Sequence, residues 1–187
     1  NPVGAVWVDA LRVTAIDGFT YQGPPMPDPD YDSSGLVVHW DVLGPLTKFY
    51  PEVEMRPFDP DLAIGDGDRT VRWTPFEADP RGAVLTGKIT DHEGPRRVAY
   101  LHATVTSDRE QDVPLGLSNV DDMTMWLNGQ TLGFVARQHM AWWDFRTNEE
   151  HRVDSDTVRL VEGENHVLIR VVGGTYATGG FFLSLAP

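Results

Sequence analysis

Residues 121–130, DDMTMWLNGQ, constrain the fold of this chain more than any other stretch. Met123, Met125 and Leu127 alternate with Thr124 and Trp126, the period-two pattern of a strand with one buried face. The strand stops at Asn128-Gly129. A two-residue type I′ turn needs positive φ at both central positions, and Asn-Gly meets that need best. Thr131-Leu132-Gly133-Phe134-Val135 then starts a return strand. The stretch contains no nucleophile–base pair and no metal-ligand spacing, so it speaks to fold and hardly to chemistry.

The rest of the chain extends the β pattern. Residues 97–107 alternate, with Ala99, Leu101, Ala103 and Val105 on one side and Val98, Tyr100, His102 and Thr104 on the other. Strands are also expected at 36–43, 70–74, 113–117, 156–161, 166–172 and 181–185, with another in 82–90 and one or two short ones in 3–16. Pro114 suits an edge position. Residues 17–35 and 45–68 are rich in Pro, Gly and Asp and should be irregular, because proline lacks the N–H and restricts its predecessor. Residues 162–165 read as a turn, 173–180 as a glycine-rich loop, and 136–155 as a long connection with at most a helical turn near 147–150. No long amphipathic helix is expected. Many short strands separated by turn signals make a sandwich or a barrel.

Size and charge narrow the function. A chain of 187 residues can bury a substantial core without staples. It has no cysteine, which removes disulfides, thiol nucleophiles and thiolate metal sites. A formal net charge of −13 argues against nucleic acid and against an anionic membrane surface, and it favours solubility. No apolar run is long enough to span a bilayer. No basic segment followed by an apolar one is present, so any signal peptide is expected to have been removed or to lie outside the sequence.

A resemblance joins these observations. Tyr100, Thr106-Ser107, Asp121-Asp122 leading into Trp126-Leu127-Asn128-Gly129, Val161-Glu162-Gly163-Glu164-Asn165, Leu168-Ile169-Arg170-Val171 and residues 180–185 resemble the galactose-binding-domain-like β-jelly-roll family. Members serve as accessory modules of carbohydrate-active enzymes. Trp40 with Gly44-Pro45 is similar to the opening of such modules. The likeness covers 97–187 well and 36–96 loosely, and its motifs are turns and core strands. It therefore implies the scaffold more than the ligand. The implied fold is an all-β jelly-roll sandwich, one domain over 1–187, with N-terminal strands and a proline-rich loop over 1–35 and the core over 36–187. The implied setting is a larger secreted protein, extracellular or periplasmic, with neighbouring domains and a carbohydrate as partners. No cofactor is required. A structural calcium, held largely by backbone carbonyls, is a further feature the resemblance implies.

Candidate ligand-binding residues sit in the expected loops. Trp142 and Trp143, with Arg137, His139 and Asp144 nearby, combine flat rings for the apolar face of a sugar with polar partners for its hydroxyls. Adjacent residues of a strand point to opposite faces, so at most one tryptophan should face outward. Packing of both beneath the loop as a satellite core is the competing explanation. Tyr176, in the glycine-rich loop, is either a projecting contact or a buried turn residue. Asp28, Asp30 and Asp32 have calcium-loop spacing, but Ser33 and His39 stand where an EF-hand needs Gly and Glu. Asp59 with Asp61, and Asp66 with Asp68, are further pairs that also suit solvated turns. The six histidines form no zinc-type pair in sequence. His39, His102 and His166 fall in expected strands as structural or surface residues. No catalytic residue is assigned.

Three functions remain open. The first is a non-catalytic carbohydrate-binding module. The second is a jelly roll that braces a catalytic domain or oligomer. The third is a small lyase or hydrolase using Asp144, Glu149, Glu150 and His151, with two carboxylates across a cleft.

Overall fold

The computed structural model describes residues 35–79, 82–90, 97–119, 121–135, 157–173 and 180–185, all within the compact unit Ser33–Pro187. These residues are mostly β, with three sheets and little helix. The strands are β1 (His39–Leu46), β2 (Ala63–Asp66), β3 (Arg69–Arg72), β4 (Thr74–Glu77), β5 (Val84–Leu85), β6 (Arg97–Ser107), β7 (Gln111–Asn119), β8 (Asp122–Leu127), β9 (Gln130–Val135), β10 (Thr157–Leu160), β11 (Gly163–Gly173) and β12 (Gly180–Leu185). Two short helices, α1 (Pro51–Met55) and α2 (Gly87–Thr90), interrupt them.

The large sheet has the order β4-β1-β6-β11-β8-β9, the second β10-β7-β12-β5, and the third is the β2-β3 hairpin. Alternation aims Leu101, Met125 and Ile169 from the large sheet, and Val113, Leu117 and Leu183 from the second, into one shared apolar core. Trp40 sets its edge against Phe181 at 5.5 Å between ring centroids, and its indole N–H donates to the Val37 carbonyl at 3.0 Å. The β8-β9 turn forms as expected, with φ of 50° at Asn128 and 77° at Gly129.

The opposite face of the large sheet is also covered. Leu43, Leu46, Val98 and Tyr100 form a second apolar cluster with Tyr50, Val53 and Ile64. Strict alternation would return Leu46 to the side of Trp40 and Val42. A register shift between Leu43 and Leu46 in the β1-β6 pairing sends it to the other face instead. The stretch expected to be wholly irregular, 45–68, therefore holds α1 and begins the β2-β3 hairpin, and it lies over this face.

Other differences are local. β11 begins at Gly163 rather than after a turn, because Gly163, Glu164 and Asn165 already pair with Ser107, Thr106 and Val105 of β6, and buried Asn165 exchanges hydrogen bonds with the Val161 backbone at 2.9 Å. Pro114 lies where β7 changes partner, pairing with β10 up to this residue and with β12 from Leu115 onward. Its missing N–H therefore falls at the end of one ladder.

Candidate binding site

The outer face of the large sheet carries side chains in cross-strand rows, since paired residues point the same way. One row is His102-Leu168-Trp126, and the next is Tyr100-Arg170-Thr124. α1, with the chain that follows it, stands beside these rows. Pro51 occupies the first turn, where its absent N–H is tolerated. Five residues cannot hold a helix in water by themselves, so contacts with the sheet must fix it. Tyr100 Oη donates to Glu54 Oε1 at 2.9 Å and accepts from the Tyr50 backbone N–H at 2.9 Å. The Arg170 guanidinium forms an ion pair with the same carboxylate, donates to Thr124 Oγ1 at 2.9 Å, and lies over the Phe49 and Trp126 rings at 4.3 and 5.6 Å.

The hairpin behind α1 is held by Asp66. Its carboxylate accepts from the Thr47 amide and hydroxyl, from Tyr50 Oη at 2.9 Å and from Arg69 at 3.2 Å. Burial pushes the Asp66 pKa up, but these hydrogen bonds outweigh it and leave the group below its ordinary value.

Between α1 and the sheet rows lies a cavity of about 500 Å³, within the size range of small-ligand sites. Its aromatic walls are Phe58, Trp73 and Trp126, with His102 and His166 beside them and the Asn128-Gly129 turn at one margin. Phe58 lies flat on His102, with ring centroids 3.5 Å apart and an interplanar angle of 4°, and meets the edge of Trp73 at 5.3 Å. Met55, also in the lining, is 83 % exposed.

His102 is 2 % exposed. Its Nε2 lies 3.1 Å from His166 Nδ1, so one proton serves both nitrogens. Its Nδ1 has no partner among the described residues, and neither has Trp73 Nε1. Burial, reinforced by the charge on His166, pushes the His102 pKa down to about 4. The residues lining the cavity thus bring aromatic rings together with two buried polar atoms that have no partner among the described residues.

Sequence reasoning did not find this site. His102 and His166 are 64 residues apart, and the β6-β11 register brings them together. A signal was present: alternation places His102 beside Tyr100, on the side of its strand opposite Leu101 and Ala103. Asp59 and Asp66, offered as halves of acidic pairs, are engaged by the protein. Asp59 accepts from the Asp61 amide at 3.0 Å, and Asp66 holds the hairpin. His39 is exposed and 3.3 Å from Glu77. Among the described residues no group of three or more His, Asp or Glu is placed to hold a metal ion, and no helix is long and apolar enough to cross a membrane. Arg137, His139, Trp142, Trp143, Asp144 and Tyr176 lie outside the described residues, as do Asp28, Asp30, Asp32, Glu149, Glu150 and His151.

No family model and no curated protein matches this chain. Among solved structures it is similar to the beta-glucosidase of Kluyveromyces marxianus, with a TM-score of 0.46, 12 % identity, and coverage of 79 % of this chain and 16 % of that one. It is also similar to the PA14 domain of the antifreeze protein MpAFP, with a TM-score of 0.33, 11 % identity, and coverage of 48 % and 42 %. A family 35 carbohydrate binding module of Clostridium thermocellum matches with a TM-score of 0.29, 12 % identity, and coverage of 55 % and 84 %. The chain thus spans about a sixth of the beta-glucosidase that it matches.

Proposed function

We propose that this chain is a non-catalytic glycan-binding module on a galactose-binding-domain-like jelly roll, serving as an ancillary part of a larger secreted glycan-active protein. The cavity on the outer face of the large sheet carries this reading. Phe58, Trp73 and Trp126 supply flat rings, and Trp73 Nε1 and His102 Nδ1 are buried without partners among the described residues. A sugar ring fills both needs, because its C–H face stacks on aromatic carbon while its hydroxyls donate and accept.

The test is a glycan-array and affinity-gel screen of the wild type beside Phe58→Ala, Trp73→Phe, Trp142→Ala and Trp143→Ala, with thermal midpoints and with and without a calcium chelator. A ligand whose binding falls about tenfold in the Phe58 or Trp73 variant, at an unchanged midpoint, supports the cavity as the site. Loss confined to the Trp142 or Trp143 variant moves recognition to the 136–155 connection. A wild type that retains no glycan overturns the reading in favour of a structural brace.

A further inference from the structure

Resting on that reading, we propose that the cavity selects a cationic amino sugar, a glycan unit carrying a free protonated amine. The lining holds three carboxylates, Glu52, Glu54 and Asp59, and one guanidinium, Arg56. Arg170 neutralises Glu54 from beneath, which leaves Glu52 and Asp59 against Arg56. Burial and the neighbouring His166 hold His102 uncharged at neutral pH, with its pKa down to about 4. Arg170 already lies over the Trp126 ring and His102 against one face of Phe58, so the negative π density that can attract an ammonium group is that of Trp73 and the other face of Phe58. A cation entering here therefore meets aromatic faces inside and an excess carboxylate in the lining.

The two unpartnered atoms among the described residues call for a ligand with donors and acceptors. Trp73 Nε1 is a donor, and His102 Nδ1 accepts when the shared proton sits on Nε2 and donates when His166 Nδ1 supplies that proton. An amino sugar carries ammonium N–H donors beside hydroxyl oxygens, so it can meet either tautomer. A uronate would bring its carboxylate among Glu52, Glu54 and Asp59. An N-acetylated unit would lose the charge that the lining favours. The net charge of −13 on the chain also raises the encounter rate with a cationic ligand at low salt.

The experiment measures binding of a glucosamine tetramer, its fully N-acetylated counterpart and a galacturonate tetramer by calorimetry, at a pH where the amine is protonated, in low and high salt. Tetralysine serves as a control for non-specific attraction. The variants are Glu52→Gln, Asp59→Asn, Phe58→Ala and, as a remote charge control, Asp68→Asn in the exposed β2-β3 turn. The inference expects the glucosamine tetramer to bind about tenfold tighter than the acetylated one. Glu52→Gln and Asp59→Asn should each shrink that preference several-fold with unchanged midpoints, and Asp68→Asn should not. Equal or tighter binding of the acetylated or acidic tetramer overturns this inference and leaves glycan recognition standing. Tetralysine binding as tightly as the glucosamine tetramer, with Phe58→Ala without effect on either, also overturns it, because the attraction is then only electrostatic. Absence of binding to all three sugars, together with an empty glycan array, overturns both readings.

Discussion

Asn128 performs two tasks that a turn residue seldom combines. It adopts a φ of 50°, and its side chain accepts from the His166 amide at 2.8 Å and donates to Asn165 Oδ1 at 2.9 Å. These bonds fasten the β8-β9 turn to β11 at the margin of the cavity. Substitution separates the tasks. Asn128→Gly keeps the backbone conformation and loses the two bonds, so it should cost about 1–2 kcal/mol in denaturant unfolding. Asn128→Ala also strains the left-handed backbone and should cost about 1 kcal/mol more. Equal stability of the glycine variant and the wild type would show that the side chain contributes nothing. Gly129 and the alternation before it were legible in sequence because turn chemistry is local. The bonds from Asn128 to β11 were not, since they depend on which strand lies alongside.

At the level of elements, the register shift in β1 decides how both faces of the large sheet are filled. It aims Leu46 at the outer cluster, and at the shift β1 runs close against β6. A Cβ added at Gly44 would stand 2.8 Å from the Ala99 Cβ and 3.1 Å from its Cα. Gly44→Ala should therefore destabilise by about 1–3 kcal/mol, a fall of several degrees in thermal midpoint. Gly65→Ala is the matched control, because a Cβ there meets nothing within 4 Å, and its midpoint should stay the same or rise slightly. A Gly44→Ala protein that melts with the wild type would mean that β1 and β6 are not packed this closely. Strand β6 coincides with the alternation over 97–107, but α1 gave no periodic signal. A five-residue helix completes too few turns to show one, and Glu54 is fixed by Tyr100 and Arg170, 46 and 116 residues away.

For the whole molecule, two buried groups among the described residues contribute to the acid limb of the stability curve. His102 has a folded pKa of about 4 against an ordinary 6.5. Below 6.5 the unfolded chain binds a proton that the native state refuses, so stability falls as pH drops from about 6.5 toward about 4. Asp66 is depressed below its ordinary 3.8, so its contribution is full above that value and is lost as pH falls through the folded one. Urea midpoints measured across this range should show both losses. His102→Gln should flatten the upper one, and Asp66→Asn should flatten the lower one while reducing stability at neutral pH. A His102→Gln profile parallel to the wild type between pH 4 and 6.5 would rule out His102 as the source.

The sequence by itself determined the β character, the type I′ hairpin, the strand over 97–107 and the absence of a thiol or sequence-local zinc site, all set by short-range sterics and composition. It also placed His102 beside Tyr100 on one side of its strand, opposite Leu101 and Ala103. Only the tertiary structure decided that this face would be covered, that α1 would form over it, and that His102, Leu168 and Trp126 would share one row as the floor of a cavity. Those outcomes depend on strand order and register. Both are fixed by the summed burial of many distant side chains, so no window of neighbouring residues carries them.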